Sequence, residues 1–139
     1  WDDVLWGGKQ ISVNKAKVRE RLKAPKTNAG HRLIDVDHET ELVLLQHKKY
    51  KGNTSTIFVD SDTGKSWKDD KKLRVRHWYP ALKRAGIEKR EPYQTRHTFA
   101  SNQLSDKRVS PLYLSTQMGH SDCSQIYRTY ARWIPNKKD

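Results

Sequence analysis

Three short stretches in the second half of the chain hold most of the side chains able to do chemistry. They are Tyr93-Gln-Thr-Arg-His-Thr-Phe-Ala-Ser101, Met118-Gly-His120 and Thr129-Tyr-Ala-Arg-Trp-Ile-Pro135. Arg96 offers a planar fork of donors that stays charged, which suits two phosphoryl oxygens at once. Tyr130 carries a hydroxyl of the kind that forms covalent intermediates once activated. Each residue also has a plainer reading: Arg96 as a surface cation, His120 as the close of a turn after Gly119, and Tyr130 as an ordinary half-buried aromatic. Tyr127 lies three residues before Tyr130, could share its helix face, and competes with it. His120 and Cys123 form a His-x-x-Cys pair, but two ligands without a second pair make a poor zinc site.

The charge balance says what such a set would meet. The chain has 139 residues, with 28 Lys and Arg against 16 Asp and Glu, for a net charge of +12. Residues 1–70 carry 13 basic and 11 acidic side chains, whereas residues 71–139 carry 15 basic and only 5 acidic. A surplus of ten positive charges on half of a small domain attracts polyanions, and nucleic acid is the usual one. Cys123 is the single cysteine, which excludes an intramolecular disulfide and a CxxC metal site. No apolar run approaches the roughly 18 residues of a membrane span, and no signal-peptide pattern opens the chain. These exclusions lead to the expectation of a soluble, intracellular, basic domain. Trp1 in place of an initiating Met reads as a cut or processed product.

The elements that must position these residues fall into two halves. Residues 11–18 alternate apolar and polar side chains, as a half-buried strand does, and Arg32-Leu-Ile-Asp-Val36 reads as a second strand after the turn chemistry of Pro25 and Asn28-Ala-Gly30. Asp37 is placed to cap a helix carrying Leu42, Val43, Leu44 and Leu45, with Gly52 as its left-handed end. Thr56-Ile-Phe-Val59 reads as another short strand, followed by a turn at Asp62-Thr-Gly-Lys65. A helix spans residues 73–85, kinked or restarted by Pro80 and ended by Gly86, and residues 93–105, 110–118 and 122–132 each read as helices. The fold class expected is α+β: a small antiparallel β-sheet near the N-terminus, then a mainly helical body. Trp67, Trp78 and Trp133 read as packing groups.

Taken together, the three reactive stretches resemble the tyrosine recombinase, or phage integrase, family. Arg96-His-Thr-Phe-Ala-Ser101 is similar to its second signature box, Met118-Gly-His120 to its Leu-Gly-His, and Tyr130 lies ten residues past His120. Pro25-Lys26-Thr27 resembles the family's β-hairpin lysine segment. Trp1-Asp2-Asp3-Val4 resembles the tail of the segment that bears the family's first catalytic Arg, which would place that Arg upstream of residue 1. On this resemblance residues 1–139 are a catalytic domain truncated at its N-terminal side, without core-binding or arm-binding domains.

The resemblance implies a site-specific recombinase that cuts and rejoins duplex DNA through a 3′-phosphotyrosyl intermediate. Tyr130 would be the nucleophile, Arg96 and His120 would hold the phosphoryl oxygens, and Lys26 would protonate the leaving 5′-oxygen. The covalent ester conserves bond energy, so neither a nucleotide cofactor nor a metal is implied. Arg96, His120 and Lys26 are then expected to converge on one basic cleft. Tyr93 stands where the family has His or Lys; it can donate to a phosphate but is a poor base near neutral pH. His97 points about 100° away from Arg96 on a helix and reads as packed or structural. The implied partners are DNA attachment sites, a homo-tetramer on paired sites, and accessory DNA-bending or directionality proteins, in the cytoplasm of a bacterium carrying a prophage or other mobile element. Trp133-Ile134 would dock a helix, on a neighbouring subunit for instance. The alternatives are a catalytically inactive DNA-binding module of the same fold and, more remotely, a basic interaction domain unrelated to DNA.

Overall fold

A computed structural model describes residues 1–18, 21–50, 54–106 and 109–134. The expected α+β arrangement is present: a small antiparallel sheet at the N-terminal end, then a helical body. Strands β1 (Val4–Leu5), β2 (Gln10–Val13) and β5 (Arg32–Asp35) form one antiparallel sheet in the order β1-β2-β5. The single strand expected over residues 11–18 is instead two. Asn14 ends β2 by turning its amide to Asp3 Oδ1 at 3.0 Å and Ser12 Oγ at 3.1 Å. The chain then enters a separate antiparallel pair of β3 (Ala16–Val18) and β4 (Arg21–Lys23), and β4, three residues long and exposed throughout, is too short to announce itself.

Helix α1 (His38–Lys48) is capped as expected, Asp37 Oδ1 accepting from Thr40 N–H at 2.7 Å. The expected Gly52 cap lies outside the described residues. Residues 56–59 do not form a strand. Val59 makes one bridge to Ser66, and the Ile57 carbonyl is taken by His47 Nε2 at 2.7 Å rather than by a partner strand. The following turn does form, with Gly64 N–H donating to Asp60 O at 2.8 Å. Buried Asp60 fastens this loop to the helical body through Lys72 Nζ at 2.6 Å, and Asp62 pairs with Arg76.

The expected kink at Pro80 has a specific form. Helix α2 (Asp70–Leu73) passes through a π-helical turn at Arg74–Trp78 into α3 (Tyr79–Arg84). Pro80 has no N–H to return to the preceding turn and its ring crowds that turn's carbonyl, so the helix widens just ahead of it.

Helices α4 (Gln94–Ser105), α5 (Pro111–Met118) and α6 (Ser124–Tyr130) hold the main core, made of Ala100, Leu104, Leu114, Met118, Ile126 and Tyr130. The pairs 100/104, 114/118 and 126/130 are each spaced i, i+4, so each helix buries one stripe. Trp133 and Ile134, in and after the 3₁₀ turn Ala131–Trp133, are partly buried against this same core.

Candidate active site

The site is built around the end of α5. Gly119 takes φ +73° there, His120 N–H returns to Ser115 O at 2.9 Å, and Gly119 N–H returns to Thr116 O at 3.0 Å. The last carbonyls of a helix point outward without partners and carry the negative end of its dipole, so cations settle on them. Two arginines do so here. Arg32, from β5, donates through Nε to Gln117 O at 2.9 Å, and Arg96, from the first turn of α4, donates through Nη2 to Met118 O at 2.7 Å. Arg96 lies four residues before buried Ala100 and eight before buried Leu104, so the stripe that packs α4 also aims the guanidinium at α5.

Arg96 Nη2 also lies 2.9 Å from His120 Nε2. A guanidinium only donates, so this imidazole nitrogen accepts and the ring proton sits on Nδ1. His120 Nδ1 is buried without a hydrogen-bond partner among the described residues. Burial first, then the charges of Arg96 and Arg32, hold the His120 imidazole below its ordinary pKa, against a smaller opposing pull from Asp122. The result is a neutral histidine with an unspent N–H donor between two cations. Burial and the Arg96 charge likewise lower the Arg32 pKa. Such a set can receive an anion through guanidinium and imidazole donors together.

Tyr130 lies beside this cluster with its ring in the core, 3% exposed. Its hydroxyl is 2.7 Å from His97 Nδ1, and the two rings are 5.8 Å apart. Burial raises the phenol pKa, and the nearby Arg96 charge partly opposes that. Tyr127 is 52% exposed, whereas Tyr130, three residues on, is buried. Ile126 and Tyr130 form the buried stripe and leave Tyr127 outside it. Tyr93 is 67% exposed and sets its ring edge against His97 at 5.5 Å.

Arg96 and His120 therefore meet as expected. Lys26 lies exposed in the bend after β4, with no polar contact to either among the described residues. Its loop nonetheless abuts the site: a Cβ on Gly119 would stand 3.2 Å from Ala29 O, and Gly30 is pressed against Pro25. Sequence reasoning missed two residues. Arg32 reads in the sequence only as a strand position, although the period of two that puts it on the half-buried face with Ile34 hints that it meets a polar or anionic partner. His97 was expected to be packed or structural, yet it is an exposed residue bonded to the hydroxyl of Tyr130. The 100° separation from Arg96 holds, but Tyr130 stands on the side to which His97 points. Among the described residues no group of three or more His, Cys, Asp or Glu side chains is gathered for a metal ion.

No protein-family model matches the chain. It is similar to the prophage integrase IntR of Escherichia coli K12, at 29% identity over the whole of this chain and 39% of that protein. It is also similar to the "Putative defective protein IntQ" of the same strain, at 39% identity over 96% of this chain and 40% of that protein. The chain thus spans about two fifths of the length of these curated relatives. Its fold matches a structure of the Tn1549 transposon integrase, residues 82–397, in complex with circular intermediate DNA. That match has a TM-score of 0.70 at 18% identity and covers 99% of this chain and 48% of that one.

Proposed function

We propose that the chain is a member of the tyrosine recombinase (phage integrase) family and the strand-transfer region of a site-specific DNA recombinase, a reading supported by its similarity to IntR and IntQ. The observation that carries this reading is the junction of Arg96 and His120 at 2.9 Å, with the Tyr130 hydroxyl held by His97, the residue after Arg96 on α4. A scissile phosphate seated at that junction takes donors from the Arg96 guanidinium and from His120 Nδ1–H. Those donors offset the charge that builds on the phosphoryl oxygens during attack. Tyr130 Oη bonds to phosphorus, the bond from phosphorus to the 5′-oxygen breaks, and Lys26 gives that oxygen a proton. The reverse attack by a 5′-hydroxyl rejoins a strand. Arg32 holds the His120 turn in place, and Tyr93 donates to a phosphate from the rim. The substrate is duplex DNA at attachment sites, bound by a tetramer, with accessory DNA-bending or directionality proteins; the Tn1549 integrase, solved on DNA, supports the DNA-bound reading.

The test is a nicked duplex whose short fragment diffuses away after cleavage, so that a covalent protein–DNA adduct accumulates on a denaturing gel. Tyr130→Phe abolishes the adduct while leaving DNA affinity within about twofold, and Tyr127→Phe leaves the adduct intact. An adduct that survives Tyr130→Phe and vanishes in Tyr127→Phe would sink the assignment. A second reading, an inactive DNA-binding module, is favoured by Tyr93 at the usual His or Lys position and by the name of the relative IntQ. DNA binding without any adduct from the unaltered protein would select it.

A further inference from the structure

We propose that His97 is the catalytic base that takes the phenolic proton of Tyr130, a role resting on the recombinase reading above. The position three residues before Arg96 holds Tyr93, whose phenol cannot accept a proton near neutral pH. An attacking tyrosine must lose its proton as the bond to phosphorus forms, because a neutral phenol is a weak nucleophile. His97 Nδ1 is 2.7 Å from that hydroxyl, within the reach a general base needs. The geometry also gives the proton somewhere to go. His97 is exposed and lines a groove of about 410 Å³, so its ring can exchange with water.

The step balances. The Tyr130 O–H proton moves to His97 Nδ1, Tyr130 Oη bonds to phosphorus, and the 5′-oxygen leaves with the proton supplied by Lys26. In the return direction His97 gives its proton back to the departing phenolate. The groups that bias this exchange are Tyr93 just before α4, Arg96 on α4, Tyr130 on α6, Arg132 in the turn beyond it, and Arg90 and Glu91 at the groove wall. Arg96 acts on Tyr130 in the direction that favours the phenolate. His120 cannot serve instead: its Nε2 already accepts from Arg96 and its Nδ1 carries the proton.

Two measurements on the intact protein test the role. Nitrogen-15 chemical shifts of the resting protein should show His97 protonated at Nε2 and bare at Nδ1, with the Nδ1 signal moving in Tyr130→Phe. A proton on Nδ1, donated to Tyr130, overturns the proposal whatever the activity. The second measurement is the single-turnover rate of adduct formation on a random-sequence pool of nicked duplexes. His97→Ala should slow it by about a hundredfold or more and remove the acid limb of its pH profile, and added imidazole should restore part of the rate. His97→Asn keeps an acceptor near the Nδ1 position but cannot carry a proton, so it should be as slow as the alanine variant. A His97→Asn rate within about threefold of the unaltered protein, or a His97→Ala rate above it, overturns the role and leaves the recombinase reading standing. If the unaltered protein forms no Tyr130-dependent adduct, that reading fails and this role fails with it.

Discussion

Gly119 is the residue on which the site's geometry depends most directly. Its φ of +73° is one that side-chain-bearing residues rarely adopt, and a Cβ there would stand 2.7 Å from Arg32 Nη1 and 2.9 Å from Arg32 Cζ. Gly86 has a similar φ of +67°, but a Cβ there would meet open space. The pair separates backbone strain from crowding. Gly86→Ala should cost about 1 kcal/mol from conformation alone. Gly119→Ala should cost roughly 2–4 kcal/mol in chemical denaturation, because Arg32 must also leave the Gln117 carbonyl. Equal losses at the two sites would show that Arg32 yields freely. This contact also marks a limit of sequence reading. The Met118-Gly119-His120 spacing is local, so it is legible as a helix end with a histidine just beyond. Arg32 reaches it from 85 residues away at the Gln117 carbonyl, and no periodicity encodes that meeting. The His97–Tyr130 bond was not legible for a related reason: helix geometry gives the angle of His97 to Arg96 but not which element stands opposite.

At the scale of elements, the sheet and α5 are joined by one polar knot. Tyr113 Oη donates to Asp35 Oδ2 at 2.7 Å, Gln10 Nε2 donates to Asp35 Oδ1 at 2.8 Å, and Asp35 N–H donates to Gln117 Oε1 at 2.8 Å. The knot fixes the register between β5, which carries Arg32, and α5, whose end carries His120. Burial, and then the bond to Asp35, push the Tyr113 phenol up to about 12. A phenol raised on folding lends stability that is whole below its unfolded pKa of about 10 and is lost as pH climbs toward the folded value. The melting temperature should therefore fall between pH 10 and 12, and Tyr113→Phe should flatten that fall while costing about 1 kcal/mol at neutral pH. The acid side mirrors this. The Gln10 and Tyr113 bonds hold Asp35 below its ordinary value, so its contribution is present at neutral pH and disappears as acid protonates it. A melting curve from pH 10 to 12 identical in the Tyr113→Phe protein would remove the knot from the stability argument. Helices α4, α5 and α6 were legible because each carries its own i, i+4 stripe, and α5 and α1 also because of their caps: Ser110 Oγ holds Tyr113 N–H at the start of α5, and Asp37 holds Thr40 N–H at the start of α1. The strands were legible only in part, since β4 and the break at Asn14 depend on which strand lies alongside rather than on local pattern.

Over the whole molecule, the charge is divided between two kinds of work. In the first seventy residues cations and carboxylates nearly cancel, and several are paired, as in Lys9 with Glu41 at 2.9 Å and Lys15 with Asp3 at 3.1 Å. The first half is thus close to neutral. The remaining residues carry 15 basic side chains against 5 acidic ones; Lys72 and Arg76 reach back to Asp60 and Asp62, and a large positive surplus is left over. On the DNA-binding reading that surplus meets phosphates, and each neutralised phosphate releases condensed counterions. Affinity for duplex DNA should therefore fall steeply with salt, by about a thousandfold between 50 and 200 mM if some six phosphates are contacted. Sequence should matter little to this component, since phosphate contacts position without specifying. Arg96→Ala should lower the slope of log affinity against log salt by about one contact, whereas Tyr127→Phe should leave it unchanged. A titration by fluorescence anisotropy at four or five salt concentrations measures both. Affinity that stays level across that range would mean the positive surplus faces something other than DNA, and it would undercut the substrate proposed for Arg96 and Tyr130 as well.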